Sequence, residues 1–173
     1  KILWDFGANE GLLSRIASNM NINTISFDID PAAVEKNYIT VKNNSETNNL
    51  PLLLDLTNPS PGIGWMNIER ESLIRRSNPD IILALALVHH LAISNNLPFS
   101  KIASFFHKLS KYLIIEFVPK EDSQVQKMLV TRGDIFKDYH VDGFKEQFSK
   151  IYDIIDSFKI RESKRTLYFM ERK

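Results

Sequence analysis

Ile81–Val88 is an unbroken apolar run, entered through Asn78-Pro79-Asp80 and left through His89-His90. A strand of that composition has no face for water. It belongs inside a parallel sheet covered by helices on both sides. The rest of the chain agrees. Apolar runs at Ile2–Trp4, Thr24–Phe27, Leu50–Leu54 and Tyr112–Val118 alternate with stretches of helical spacing. Leu12, Leu13, Ile16 and Ala17 form one helical apolar face, and Val34, Tyr38 and Val41 another. Ile102, Phe105, Phe106 and Leu109 form a third, at i, i+3, i+4 and i+7. Asp30-Pro31 is a helix start, an N-cap side chain followed by proline at the first helical position. Pro51 stands near the start of its strand, where a missing N–H is tolerated. Shorter helices are expected around Met66–Arg75, Ser123–Leu129 and Asp142–Ser149. Too few residues separate Ile151–Ile160 from Thr166–Met170 for a crossover helix, so these two runs pair antiparallel. The pattern predicts one α/β domain over residues 1–173: a three-layer sandwich whose mostly parallel sheet has an antiparallel terminal strand.

Composition narrows the function. The 173 residues are 43% hydrophobic and carry 22 Lys+Arg against 21 Asp+Glu, a formal charge of +1. That is enough apolar mass for one core. It supplies no net field toward nucleic acid or anionic lipid, and no specific nucleic-acid motif is present. The longest apolar run is far below the ~20 residues of a membrane helix. A cysteine count of 0 excludes disulfides and thiolate metal sites. It fits a reducing compartment, so a cytoplasmic location is the expectation. The chain opens at Lys1 inside an apolar run. It is therefore expected to be a fragment of a longer protein, with a further segment or domain upstream.

In an open parallel sheet, ligands bind beyond the carboxyl ends of the strands. There the sequence places Asp5 with Gly7-Ala8-Asn9-Glu10-Gly11, then Asp28, Asp55, His89-His90 and Glu116. The glycines allow a tight turn and a close backbone approach to a ligand. Their Gly-x-x-x-Gly spacing lacks the dinucleotide pattern, and no Gly-Lys-Ser/Thr follows to make a P-loop. Asp5 and Glu10 bracket the loop, repelling a pyrophosphate and favouring an ammonium. Asp28 is an acceptor suited to both hydroxyls of a cis-diol. A nucleoside joined to an amino-acid ammonium, with no phosphate, describes S-adenosylmethionine. No metal is implied, since the scattered carboxylates form no dedicated ligand cluster.

Residues 3–11 (LWDFGANEG), 26–37 (SFDIDPAAVEKN), 53–56 (LLDL), 80–91 (DIILALALVHHL) and 113–118 (LIIEFV) resemble, in order, the motifs of the class I S-adenosylmethionine-dependent methyltransferases. The resemblance implies a Rossmann-like sheet of order 3-2-1-4-5-7-6. It implies Asp5, Gly7, Ala8, Asn9 and Gly11 around the methionine part of the cofactor, and Asp28 on the ribose. Asp55 and Leu56 would lie at the adenine, with Ile29 and Leu87 as further cofactor-binding positions. The double histidine of Val88-His89-His90-Leu91 after the fourth strand resembles the Leu-His-His-Leu of methyltransferases acting on small molecules, which makes a small-molecule methyl acceptor the expected partner. The chain also resembles bacterial nodulation-type methyltransferases. The Asn-Pro-Pro-Tyr of adenine-N6 methyltransferases is missing after the fourth strand; Asn58-Pro59-Ser60-Pro61 follows the third.

A general base is required only for a poor nucleophile such as a hydroxyl, and His89, His90 and Glu116 are the candidates. Adjacent side chains leaving a strand point to opposite faces, so at most one histidine would meet the acceptor. An ordinary imidazole base would make the rate rise through a pH near 6.5. Plainer roles stand beside these. Asp30 suits the helix cap; Asp55 could cap a turn as well as meet adenine; Glu116 could pair with a nearby cation. Trp65 could line the adenine or substrate side, but a packed aromatic is the expectation, with Phe105, Phe106 and Phe148 in the core. The basic residues of Lys159–Lys173 are expected to form a solvated edge. The rival function is a non-catalytic cofactor-binding module of a larger multidomain protein. The glycine spacing and Asp5 disfavour an NAD(P)-linked oxidoreductase.

Overall fold

The computed structural model describes residues 1–76 and 79–173; Asn78, read from the sequence as part of a strand boundary, lies outside them. Seven strands form a sheet of order β3-β2-β1-β4-β5-β7-β6, the order the sequence motifs implied. Two compact units make up the chain, Lys1–Leu83 and Ala84–Lys173.

The first unit contains β1 (Ile2–Phe6), α1 (Ser14–Ser18), β2 (Asn23–Asp28), α2 (Pro31–Asn43), β3 (Asn49–Leu53) and α3 (Leu73–Arg76), and reaches into β4 (Ile81–Ala84). β1 pairs parallel with β2 and with β4, and β2 pairs parallel with β3. Leu3 through Phe6 are all buried, as a central strand covered on both faces requires. Trp4 meets Phe27 edge-on at 5.2 Å, and Phe6 stacks on Phe27 at 5.2 Å. Pro51 lies in β3 at the sheet's edge, where a lost N–H is cheap.

Both helical faces of this unit are rotated from the apolar stripes in the sequence. α1 buries Ser14, Ala17 and Ser18, leaving Leu12 77% and Ile16 61% exposed. Ser14 turns inward because its hydroxyl donates to the buried Asp5. α2 buries Ala33 and Asn37 rather than Tyr38, which is half-exposed, and Val34 and Val41 are only half-buried. The reason is again polar. Asn37 Oδ1 accepts from Arg15 Nη2 at 2.8 Å and from Asn49 Nδ2 at 3.4 Å, partners available only on that side. A buried amide left unbonded would cost more than a half-exposed ring. Asp30 caps α2 as expected, accepting the Ala32 N–H at 2.9 Å ahead of Pro31.

The second unit contains α4 (Phe99–Leu109), β5 (Tyr112–Phe117), α5 (Ser123–Arg132), α6 (Val141–Ser149), β6 (Tyr152–Lys159) and β7 (Thr166–Arg172). β7 runs antiparallel to both β5 and β6, as the short connection required. Phe99, Phe106, Phe117, Tyr139, Phe144, Phe148 and Tyr152 are buried and form the aromatic core, while Phe105 is half-buried. The apolar run after Asp80 is strand only as far as Ala84. Ala86 takes a left-handed φ of 48°, and a helical segment begins at Val88 and becomes a π-helical turn over His90–Ser94. His89 and His90 therefore do not leave a strand on opposite faces. Their rings lie side by side, with centroids 4.3 Å apart. Among the described residues no helix is long and apolar enough to cross a membrane.

Candidate functional site

The glycine loop between β1 and α1 is built as a backbone cradle. Gly7 and Gly11 have φ of 78° and 76°, conformations that favour glycine. The Gly7 and Ala8 N–H groups both donate to the Phe27 carbonyl, at 2.9 and 3.0 Å. At Gly11 a Cβ would sit 2.6 Å from Asn37 Cγ, so α2 packs directly onto the loop. Arg15 ties the arrangement together. Its guanidinium donates to the Glu10 carbonyl at 2.7 Å and to Glu46 Oε1 at 2.8 Å, besides Asn37.

Asp5 is the acidic centre of this unit. It is 2% exposed and accepts the Ser14 hydroxyl at 2.6 Å. Burial pushes its carboxyl up to about 6; Ser14 opposes the shift and the nearby Asp28 charge adds to it. Asp28 ends β2. Its Oδ2 accepts the Asn9 N–H at 2.7 Å and its Oδ1 accepts the Asp30 N–H at 2.9 Å. Each oxygen keeps a lone pair, so the carboxylate can still accept from a ligand. Ile29, next in sequence, is 63% exposed. Glu10 contributes less negative field than its sequence position suggests, because Lys36 pairs with it at 2.8 Å. Asp55 forms a turn, its Oδ1 accepting from the Thr57 N–H at 2.8 Å and the Thr57 hydroxyl at 2.6 Å. Those bonds hold its carboxyl below the usual range. Leu56 beside it is half-buried. Trp65 is not packed: it is 76% exposed, on a turn that forces Met66 and Asn67 into left-handed backbone.

In the second unit, His89 is 2% exposed, and its Nδ1 has no hydrogen-bond partner among the described residues. Burial, with the neighbouring His90 and Arg165 charges, depresses its imidazole to about 4. His90 is exposed and Leu87 half-buried. Glu116 is buried, with both oxygens engaged: Oε2 accepts the Ala86 N–H at 2.5 Å and Oε1 accepts from Arg165 Nη1 at 3.3 Å. Arg165 also binds Asp122 through Nε and Nη2, at 2.7 and 3.1 Å. It is thus half-buried and paired, unlike the solvated basic edge expected of its hairpin. Ser14, Arg15, Asn37, Asp122 and Arg165 are the residues that sequence reasoning missed. Each acts through a partner remote in sequence. Among the described residues no three His, Cys, Asp or Glu side chains are grouped to hold a metal ion.

No protein-family model matches the chain. It is 41% identical over 169 residues to nodulation protein NoeA of Rhizobium meliloti (strain 1021), which covers 97% of this chain and 35% of that protein. The chain thus spans about a third of the length of that relative. A SAM-dependent methyltransferase from Aquifex aeolicus superposes with a TM-score of 0.65 at 16% identity, over 98% of this chain and 81% of that one. Magnesium protoporphyrin IX methyltransferase from Synechocystis PCC 6803, solved with bound SAH, superposes with a TM-score of 0.64 at 14% identity. That match covers 99% of this chain and 74% of the other. Strand order, motif order and these superpositions agree: the chain has the fold of the class I S-adenosylmethionine-dependent methyltransferases.

Proposed function

We propose that residues 1–173 form the S-adenosylmethionine-binding methyltransferase domain of a larger protein and transfer the methyl group to a small-molecule acceptor. The observation that carries this reading is the pair of carboxylates at the glycine loop. Asp5 is buried there with no cation in hydrogen-bond contact among the described residues, and Asp28 is pinned to the loop's own Asn9 amide. Such a loop is hostile to a phosphate and suited to an ammonium and a ribose diol. On this reading Gly7, Ala8, Asn9 and Gly11 cradle the amino-acid part and Asp28 takes the ribose. Ile29, Leu56 and Leu87 offer apolar contact, and Asp55 fixes its turn at the adenine side.

The cofactor supplies a methyl group on a sulfonium, with the leaving group already in place. The chain's residues therefore need mainly to orient and to exclude water. Glu116, with both oxygens engaged, serves position rather than proton transfer. His89 stays neutral throughout the physiological range, and its unpartnered Nδ1 is the group that could accept a proton from the acceptor. With His89 in that role the rate is flat from pH 6 to pH 9. A rate rising through pH 6.5 in a pH–activity profile would remove His89 from the chemistry. The absence of cysteine supports a cytoplasmic location. The relative's greater length favours one further reading, a cofactor-binding module whose catalysis lies elsewhere.

Incubating the full-length protein with methyl-labelled S-adenosylmethionine and a cell extract separates these. Label appearing in a low-molecular-weight product supports the proposal. Label in macromolecules would overturn the acceptor class. Cofactor binding with no label transferred in any fraction would favour the module.

A further inference from the structure

Ala86 is a non-glycine residue held at φ 48°, a conformation that L-residues avoid and that persists only when its surroundings enforce it. The enforcing contact is visible: the Ala86 N–H donates to Glu116 Oε2. A buried carboxylate is itself costly unless paired, and the pairing comes from Arg165, on the turn between β6 and β7. Arg165 does not reach Glu116 as a free side chain. Asp122, at the start of α5, takes its Nε and Nη2 in a two-pronged contact, fixing the guanidinium plane so that Nη1 faces Glu116. Asp122 is anchored in turn, because it caps α5 by accepting the Gln124 N–H at 2.9 Å. The three side chains are between 6% and 24% exposed, so solvent screens this network far less than a surface ion pair.

We propose that Arg165 is a positioning residue for the turn after β4: it clamps Glu116 so that Glu116 holds the Ala86 amide and sets where Leu87 and His89 stand. Its bearing on methyl transfer rests on the reading above, in which Leu87 and His89 serve the reaction; the clamp itself does not. The charged groups acting on His89 are His90 on its own turn, Arg165 from the β6–β7 turn and Asp122 from α5. Arg165 opposes protonation of His89 and Asp122 favours it. Removing the guanidinium leaves two uncompensated carboxylates, so the imidazole must titrate at higher pH.

The test measures amide exchange at Ala86 and the side-chain NMR titration of His89 in the full chain. Arg165→Met is expected to speed exchange at Ala86 on the order of tenfold. It also moves the His89 midpoint upward and weakens S-adenosylhomocysteine binding several-fold. Arg165→Lys keeps the charge but not the fork, so it restores the His89 midpoint while exchange at Ala86 stays elevated. Asp122→Asn retains the cap, since Asn caps as well as Asp, but loosens the fork, so exchange at Ala86 speeds up by less than in Arg165→Met, while loss of a charge that favours His89 protonation moves the His89 midpoint downward. If Arg165→Met fails to fold, the other two variants decide. Exchange at Ala86 within twofold of wild type, with an unmoved His89 midpoint, in every folded variant would overturn the clamp. A wild-type chain that ignores S-adenosylhomocysteine would instead overturn the methyltransferase reading, with exchange at Ala86 still deciding the clamp.

Discussion

Asp5→Asn is expected to raise the melting temperature of the ligand-free chain at pH 7.5 by roughly 5–10 °C, and to weaken its binding of S-adenosylhomocysteine. The two effects share a cause. In the folded chain the Asp5 carboxyl sits near 6 against an ordinary 3.8, mostly because it is buried. Between those two values the folded state holds a proton that the unfolded state has released. Stability therefore falls as pH rises through that window, and the loss remains in full above it. The gap corresponds to on the order of 2–3 kcal/mol at neutral pH. Asn keeps the acceptor for the Ser14 hydroxyl and removes the charge, so it recovers most of that loss. Melts at pH 4, 5, 6 and 7.5 check the sign. Wild type and variant should be nearly equal at pH 4 and diverge as pH rises. Equal melting temperatures at pH 7.5 would show that Asp5 is not strained by burial. The same charge is what a ligand ammonium would meet, so the variant trades affinity for stability.

Asp28→Ala is expected to weaken S-adenosylhomocysteine binding by roughly 10- to 150-fold, equivalent to about 1.5–3 kcal/mol for hydrogen bonds to a charged group. Part of that loss is direct and part comes from the loop. Without the carboxylate, the Asn9 amide loses its partner while Asn9 remains at φ 50°. The melting temperature should fall as well. Asp30→Ala removes only the cap on the Ala32 amide, at about 1 kcal/mol of stability, with affinity nearly unchanged. Calorimetric titration of the two variants beside melts of each separates the roles. The reverse pattern would mean that the second motif has been assigned two residues out of place.

The strands were legible because each announced itself through composition or spacing, Ile81–Ala84 as a wholly apolar run and Thr166–Met170 by its short connection, while their order followed only from the resemblance of the motifs. The helix faces were less so. Hydrophobic spacing chose Tyr38 and Leu12, whereas the fold turned Asn37 and Ser14 inward, because buried polar groups with partners outweigh a partly exposed apolar stripe. The exit from β4 carried no signal at all. A left-handed turn is usually marked by glycine, and here Ala86 adopts it through Glu116, a residue 30 positions away. Arg165 was hidden in the same way, reading as one more basic residue on a terminal hairpin until Asp122 and Glu116 were seen beside it. Trp65 shows the opposite error: a large aromatic suggests a core, yet its turn projects it into solvent.

Titration calorimetry decides whether the acidic glycine loop takes S-adenosylmethionine. The wild-type chain, alone and within the full-length protein, is titrated with S-adenosylhomocysteine and separately with NADH. One saturable site for S-adenosylhomocysteine is predicted, with a matching stabilisation of about 2.7 kcal/mol when free ligand reaches a hundred times its Kd, and no heat from NADH. Binding of NADH, or silence toward S-adenosylhomocysteine in both forms of the protein, would contradict it.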